Sequence, residues 1–168
     1  MNEILIIPNL LLRKKSLPIK KVTSDDIKLS RRMTKIMNEA PGIGLAAPQI
    51  GELKRIITIN IYQEEKNISY TLFNPEITWF SKDEILMEEG CLSIPRQFAE
   101  IKRPEEIKVK YIDEKNKIVE KKLNGNESRV IQHEIDHLNG KLFIDYLSSL
   151  KRNIIIKKVK KLKKIGDI

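Results

Sequence analysis

The segment QHEIDHLNG, from Gln132 to Gly140, contains two histidines and a glutamate at a spacing suited to metal chemistry. His133 and His137 are four residues apart, so on a helix both imidazoles would lie on one face and could share an ion. Glu134 would then lie beside that ion without binding it, where hydrolysis needs a general base. The other interpretation is a surface helix whose histidines bind nothing, because H-E-x-x-H also occurs by chance.

The third ligand of such a site must come from elsewhere in the chain. Open catalytic sites of the zinc type usually have three protein ligands, and His133 and His137 are the only histidines. A downstream glutamate is excluded, because none follows Glu134. The best candidate is the only cysteine, Cys91, since a thiolate binds borderline and soft divalent ions well. Alternatively, Cys91 is a small buried residue with no ligand role.

Helical patterns predict three helices that would position these residues. The first spans residues 24–38, with Ser24 as its cap. The central helix carries H-E-x-x-H, with Asn126 as a plausible cap and Gly140 as a left-handed end. The third is a basic C-terminal helix within residues 148–168.

Strand patterns complete an α+β chain. We predict strands at 55–62, 70–74, 105–112 and 117–123, the last two joined by a turn at 113–116. Residues 40–51 form a loop rich in Gly, Ala and Pro, and Cys91 lies in an irregular loop between Gly90 and Pro95. The expected fold is α+β, with mixed or antiparallel sheets packed around the central helix. Residues 1–147 would form the catalytic metallohydrolase domain, and 148–168 a helix of the same unit.

Composition narrows the class of protein. A chain of 168 residues with 40% hydrophobic residues suits one domain with a sizeable core. One cysteine excludes an internal disulfide and suits a reducing compartment. The sequence has neither a secretory signal nor a membrane-spanning stretch, so a cytoplasmic location is expected. The net charge of +9 suggests an anionic partner such as RNA or a membrane surface, or serves solubility alone.

Three blocks of the sequence resemble the bacterial peptide deformylases, in the order found in that family. They are GIGLAAPQIG at 42–51, EGCLSIP at 89–95 and QHEIDHLNG at 132–140. The opening ILIIPNLLL is also similar, although Asn9 and Leu10 stand where Asp and Pro are usual. FIDYLSSLKR is typical of members that end in a helix. The resemblance implies hydrolysis of the N-formyl group from the formyl-methionine of nascent peptides, with release of formate.

The resemblance also implies roles for individual residues. The metal ligands fall on Cys91, His133 and His137. Glu134 becomes the general base, and the oxyanion donors are the Gln49 side-chain amide and the Leu92 backbone N–H. Ferrous iron is the implied native ion, with zinc, nickel or cobalt able to replace it.

An apolar pocket must hold the methionine side chain. The expected pocket residues are Ile43, Gly44, Met87, Gly90 and Val130. Some relatives carry apolar residues at Asn126 and Arg129. Here we expect Asn126 to cap the helix and Arg129 to point away, which leaves the preference beyond methionine open.

A supporting ion pair is predicted beside the metal ligands. Metal-bound histidines usually donate their second N–H to an acceptor. Glu89 lies close to Cys91 in the sequence, and we expect it to pair with Arg103 and hold the Cys91 segment in place. Alternatively, Arg103 is a surface charge.

The basic tail predicts a docking helix. Ile155, Val159 and Leu162 form a narrow apolar stripe on a helical wheel, flanked by Ile156 and Ile165. Lysines 157, 160, 161, 163 and 164 cover most of the rest. The tail could simply pack on the domain with a solvated basic face. It could also lie on a membrane surface, but the stripe is narrow and lacks aromatic anchors.

Because the substrate emerges from the ribosome, we expect the tail to bind the large subunit near the exit tunnel. No stable membrane association is expected, and the enzyme should be a monomer. Two other functions remain open from the sequence alone. One is a metallopeptidase of the H-E-x-x-H type, and the other is a basic RNA-binding protein with a structural metal.

Overall fold

Residues 4–168 are described by a computed structural model, and they form an α+β fold with antiparallel sheets and three α-helices. The strands are β1 (Gly44–Ala46), β2 (Ile56–Gln63), β3 (Lys66–Phe80), β4 (Glu84–Cys91), β5 (Ile94–Pro104), β6 (Ile107–Ile112) and β7 (Ile118–Leu123). The helices are α1 (Ser24–Glu39), α2 (Gly125–Leu138) and α3 (Ser149–Lys164). Short 3-10 helices lie at Leu10–Arg13, Ala47–Ile50 and Phe143–Tyr146.

The larger sheet has five strands in the order β1-β2-β3-β6-β7, and every neighbouring pair is antiparallel. The four predicted strands all belong to it. The turn between β6 and β7 closes through a bond from the Asp113 N–H to the Lys117 carbonyl, 2.9 Å long. The predicted loop at 40–51 was wrong in part, because β1 pairs with β2 there and Ala47–Ile50 forms a helical turn.

The second sheet, a hairpin of β4 and β5, was not predicted from the sequence. Its ladder runs from Glu84 opposite Pro104 to Gly90 opposite Phe98, and then shifts register so that Cys91 pairs with Ile94. The irregular loop predicted around Cys91 is therefore wrong. The cysteine ends a strand, and strand pairing fixes its backbone.

The helix caps differ from those expected. Thr23, not Ser24, caps α1, because its hydroxyl accepts the Asp26 N–H while the Asp26 carboxylate accepts the Thr23 N–H. In α2 the cap position is Asn124, so Asn126 lies inside the helix. The side chain of Gln63 on β2 accepts the Glu127 N–H instead.

The expected left-handed end of α2 is present at Gly140, which has φ +72°. A Cβ at Gly140 would lie 2.4 Å from the carbonyl oxygen of Arg13. Both the conformation and the close approach therefore require glycine at this position.

Apolar side chains pack on both faces of the larger sheet. One face buries Ile131, Ile135 and Leu138 of α2, and residues of α1 pack against β1 and β2. A third cluster joins β5, the helical turn at Phe143–Tyr146 and α3, which contributes Ile155 and Val159. None of the helices within residues 4–168 is both long and apolar enough to cross a membrane.

Candidate active site

Helix α2 carries the two histidines on the side away from its core stripe. His133 and His137 are one turn apart and buried, and their rings meet edge to face with centroids 5.1 Å apart. The ring of Phe143 stacks on His133 at 6.2 Å. Packing on both sides of the helix therefore fixes the direction in which the imidazoles point.

The end of β4 brings Cys91 to these imidazoles. One donor atom each from Cys91, His133 and His137 lies within 4.8 Å of the others, and the Cys91 Sγ is 3.2 Å from the His137 Nε2. Ligand atoms around a tetrahedral ion lie roughly 3–4 Å apart, given bond lengths of about 2.0–2.3 Å. One sulfur and two imidazole nitrogens gathered in this way form a donor set that can hold a single divalent ion.

Glu89 on β4 supports His133 from behind. Its Oε2 is 3.0 Å from the His133 Nδ1, which directs the other ring nitrogen toward Cys91. The predicted pair is present, because Arg103 donates to both carboxylate oxygens at 2.6 and 3.0 Å. Arg103 also donates to Asp136 at 2.7 Å and to the Tyr146 hydroxyl at 3.0 Å. It is a buried charge, not a surface one.

The charges of this network follow from burial and pairing. Burial alone would raise the pKa of Glu89, but the bonds from His133 and Arg103 lower it, so Glu89 is a carboxylate. Burial alone would lower the pKa of His133, but its bonds to Cys91 and Glu89 raise it. Burial and the charge of His133 lower the pKa of His137. The Glu89 carboxylate therefore faces His133 within the protein interior, held there by Arg103.

Glu134 lines the cavity together with His133 and is buried. Its Oε2 is buried and has no hydrogen-bond partner among residues 4–168. Burial raises the pKa of Glu134 to about 7. A carboxyl group with that pKa can both accept and return a proton near neutral pH.

Gln49 lies in the helical turn that follows β1. Its Oε1 accepts the Ala46 N–H at 2.8 Å, and this bond fixes which end of the amide faces the site. The Nε2 then donates toward Cys91 Sγ at 3.6 Å and to the Ser93 hydroxyl at 3.2 Å. The amide nitrogen therefore points at the predicted ligand cysteine.

A cavity of about 510 Å³ opens beside these groups. It brings together the predicted pocket residues Ile43, Gly44, Met87, Gly90 and Val130, and with them Gln49, Cys91, Leu92, His133 and Glu134. Asn126 lines the cavity and is not the helix cap. Arg129 also lines it and is only 7% exposed, so the expectation that it points away was wrong.

Position 44 requires glycine for a structural reason that the sequence did not reveal. A Cβ at this position would lie 2.5 Å from the Glu134 Oε1 and 2.7 Å from the Val130 Cγ1. The absence of a side chain at Gly44 therefore leaves space for the Glu134 carboxylate.

The cavity is also lined by Arg96, Gln97 and Phe98, for which no role was predicted from the sequence. Phe98 lies opposite Gly90 in the β4–β5 ladder and is 64% exposed. These residues could be predicted to line the cavity only if the hairpin itself were predicted, because strand pairing brings them there.

Comparison with known proteins bears on this site directly. The sequence profile described as polypeptide deformylase matches residues 1–153. The chain belongs to the peptide deformylase family. A curated peptide deformylase of Rhodopseudomonas palustris (strain TIE-1) is 45% identical over 169 residues, which is 99% of this chain and 97% of that protein. Another, from Phenylobacterium zucineum, is 47% identical over 161 residues, covering 95% of each.

Solved deformylase structures share the fold. The crystal structure of peptide deformylase from Ehrlichia chaffeensis aligns with a TM-score of 0.94 at 37% identity, covering 98% of each chain. A structure of the deformylase from the same organism in complex with actinonin aligns with a TM-score of 0.91 at 40% identity, covering 94% of this chain and 95% of that one.

Membership of this family sets the activity. The enzyme is a peptide deformylase, a metal-dependent hydrolase that removes the N-formyl group from formyl-methionine at the start of nascent polypeptides. This function belongs to protein biosynthesis. Neither a metallopeptidase nor an RNA-binding protein with a structural metal is favoured by these comparisons.

Proposed function

We propose that this deformylase holds one divalent metal ion through Cys91, His133 and His137. The observation that supports it is the convergence of one sulfur and two imidazole donors within 4.8 Å at the edge of the cavity. Glu89 supports the set by accepting from His133 at 3.0 Å. The bound ion would supply Lewis-acid chemistry, polarising the formyl carbonyl and making water acidic enough to ionise near neutral pH.

Glu134 is the general base and then the general acid of the proposed mechanism. Its buried Oε2, without a partner in residues 4–168, is free to accept the proton of the attacking water. The same carboxyl group then gives that proton to the amine of the leaving peptide. A pKa raised by burial to about 7 suits both transfers.

Gln49 and Leu92 stabilise the oxygen that becomes negative when water adds to the formyl carbon. Gln49 presents its amide nitrogen toward Cys91, and Leu92 follows Cys91 in the tight end of the β4–β5 hairpin. Gln49 is buried, and fixed N–H donors of this kind have most effect where water is excluded.

The methionine side chain would lie among Ile43, Met87 and Val130, beside Gly44 and Gly90. The lining of the cavity supports this arrangement. Asn126 and Arg129 add polar groups to the same cavity.

We propose ferrous iron as the native ion, with zinc, nickel or cobalt able to replace it. A thiolate ligand and two imidazoles suit all four ions, so the donor set does not choose among them. A thiolate beside ferrous iron is open to oxidation, and the iron form should lose activity in air faster than a nickel form.

The test is metal content and formate release measured on the same samples. Protein purified without oxygen should hold one metal ion per chain and release formate from a formyl-Met peptide, but leave the unformylated peptide intact. Cys91→Ala should lose tight metal binding, because the chain has no second cysteine and only two histidines. Full metal occupancy and activity in Cys91→Ala would exclude the proposed ligand set.

The place of action is also a proposal. We propose a cytoplasmic monomer that meets formylated chains at the large ribosomal subunit, through the basic face of α3. Residues 1–147 would carry the catalysis, and 148–168 would be a helix of the same unit. The exposed lysines of α3 support this, because ribosomal RNA is a polyanion.

A further inference from the structure

We infer that Arg129 is a positioning residue that fastens the β4–β5 hairpin to α2 and so sets the distance between Cys91 and the two histidines. It lies one turn before His133 on α2 and is buried at the wall of the cavity. The inference rests on the ligand set proposed above, because it concerns the distance between those ligands and adds no new one.

The contacts of the Arg129 guanidinium reach both strands of the hairpin. Its Nη2 donates to the Ile85 carbonyl on β4 at 2.6 Å, and its Nη1 donates to the Ile101 carbonyl on β5 at 2.9 Å. The same Nη1 donates to the Glu89 Oε1 at 2.9 Å. A single α2 side chain thus binds two backbone carbonyls and the carboxylate that supports His133.

Glu89 connects this clamp to the proposed metal ligands. Its Oε1 accepts from Arg129 and from Arg103, while its Oε2 accepts from Arg103 and faces the His133 Nδ1. Cys91 lies two residues beyond Glu89 at the end of the same strand. A displacement of β4 relative to α2 would therefore move Cys91 away from the histidines and at the same time remove the support of His133.

Arg129 is suited to this work by its chemistry. The guanidinium has five N–H donors in a fixed plane, so one group can satisfy carbonyls on two strands and a carboxylate together. Methionine has a similar length but no donor. In an Arg129→Met variant the carbonyls of Ile85 and Ile101 would lose this partner, and Glu89 would lose one of its two arginine neighbours.

The experiment compares zinc-loaded wild type, Arg129→Met and Arg129→Lys. Zinc release to a chelator is followed with a chromogenic indicator, and kcat and KM are measured with a formyl-Met-Ala peptide. We expect Arg129→Met to bind zinc about 10–100-fold more weakly, as other residues behind metal ligands do, with the loss of activity mainly in kcat. Arg129→Lys, which keeps the charge and some donors, should fall between the two.

The control is Arg31→Met, since Arg31 is an exposed arginine on α1, away from the cavity. It should behave like wild type. Wild-type zinc retention in Arg129→Met, or a change in KM alone, would show that Arg129 is only a wall of the pocket and would overturn the inference. If Arg129→Met does not fold, the zinc affinity of Arg129→Lys decides, and a value equal to wild type again overturns it. Failure of wild type itself to bind zinc would instead refute the ligand set.

Discussion

At the scale of the residue, Glu134 lies in an environment that stability alone would not favour. It is 4% exposed, and its Oε2 has no hydrogen-bond partner within residues 4–168. Burying a polar group without a partner destabilises a fold by roughly 1–3 kcal/mol. Gly44 makes the place for it, because any larger side chain there would meet the carboxylate. Such a destabilising arrangement is typical of a group held for chemistry.

The first prediction at this scale concerns Glu134→Gln. The variant keeps the size of the side chain beside Gly44 and removes the base, so metal content should equal that of wild type. The kcat for formate release should fall by about 10²–10⁴-fold, the usual contribution of a general acid–base group. Thermal unfolding of the metal-free variant should show no loss of stability. Loss of the metal together with the activity would mean that Glu134 acts as a ligand.

The sequence predicted the composition of this site better than its supports. H-E-x-x-H, with no third histidine and no later glutamate, made Cys91 the best candidate for the third ligand without a structure. The direction of Arg129 could not be predicted in the same way. Its partners include the backbone carbonyls of Ile85 and Ile101. Every residue has a backbone carbonyl, so the sequence does not reveal which carbonyls accept a hydrogen bond from Arg129.

At the scale of the element, the start of α1 shows how a cap and a distant side chain share one carboxylate. Thr23 donates to the Asp26 Oδ2 through its N–H at 3.0 Å and its hydroxyl at 2.7 Å. Lys54 donates to the Asp26 Oδ1 at 2.7 Å. Burial alone would raise the pKa of Asp26, but the bonds from Lys54 and Thr23 hold it below its ordinary value of 3.8.

The prediction for this element is a pH-dependent effect of Asp26→Asn. Because the pKa is lowered in the folded state, the charged carboxylate stabilises the fold above the unfolded pKa, and this contribution is lost as pH falls through the folded value. Asp26→Asn should lower the free energy of unfolding by about 1–2 kcal/mol at pH 7, at the lower end because Lys54 is 41% exposed. Urea unfolding at pH 7 and near pH 3 checks it. A difference that is equally large at both pH values would contradict the electrostatic explanation.

Two cases, the β4–β5 hairpin and β3, show where sequence patterns were insufficient. The hairpin of β4 and β5 lacks a Gly or Asn turn, since Leu92 and Ser93 join its strands, and its outer positions are mostly exposed. In β3, Pro75 argues against a strand beyond Asn74, yet β3 continues to Phe80. The register shifts between Phe73 and Glu76, so the proline falls at an irregularity where the ladder needs no N–H. Tertiary pairing decided both cases.

At the scale of the whole molecule, α3 combines two surfaces with different tasks. Ile155 and Val159 are buried against the cluster that also contains Ile7 and Leu12, so the helix is part of the folded body. Removing everything after Leu147 would uncover that cluster and confuse a loss of docking with a loss of stability. The exposed lysines on the other face can be changed without touching it.

The prediction for the tail therefore uses charge reversal. In the first variant, four of the exposed lysines of α3 are changed to glutamate. They are Lys157, Lys160, Lys161 and Lys164. The control changes four exposed lysines elsewhere to glutamate, Lys66, Lys82, Lys115 and Lys117, with the same change in net charge.

Each phosphate contact that is lost lowers the slope of log affinity against log salt by about one. If α3 binds ribosomal RNA, its variant should lose co-sedimentation with ribosomes at low salt and show a smaller slope, while formate release from short peptides stays unchanged. Equal loss in the two variants would mean that net charge, and not α3, attracts the enzyme to the ribosome.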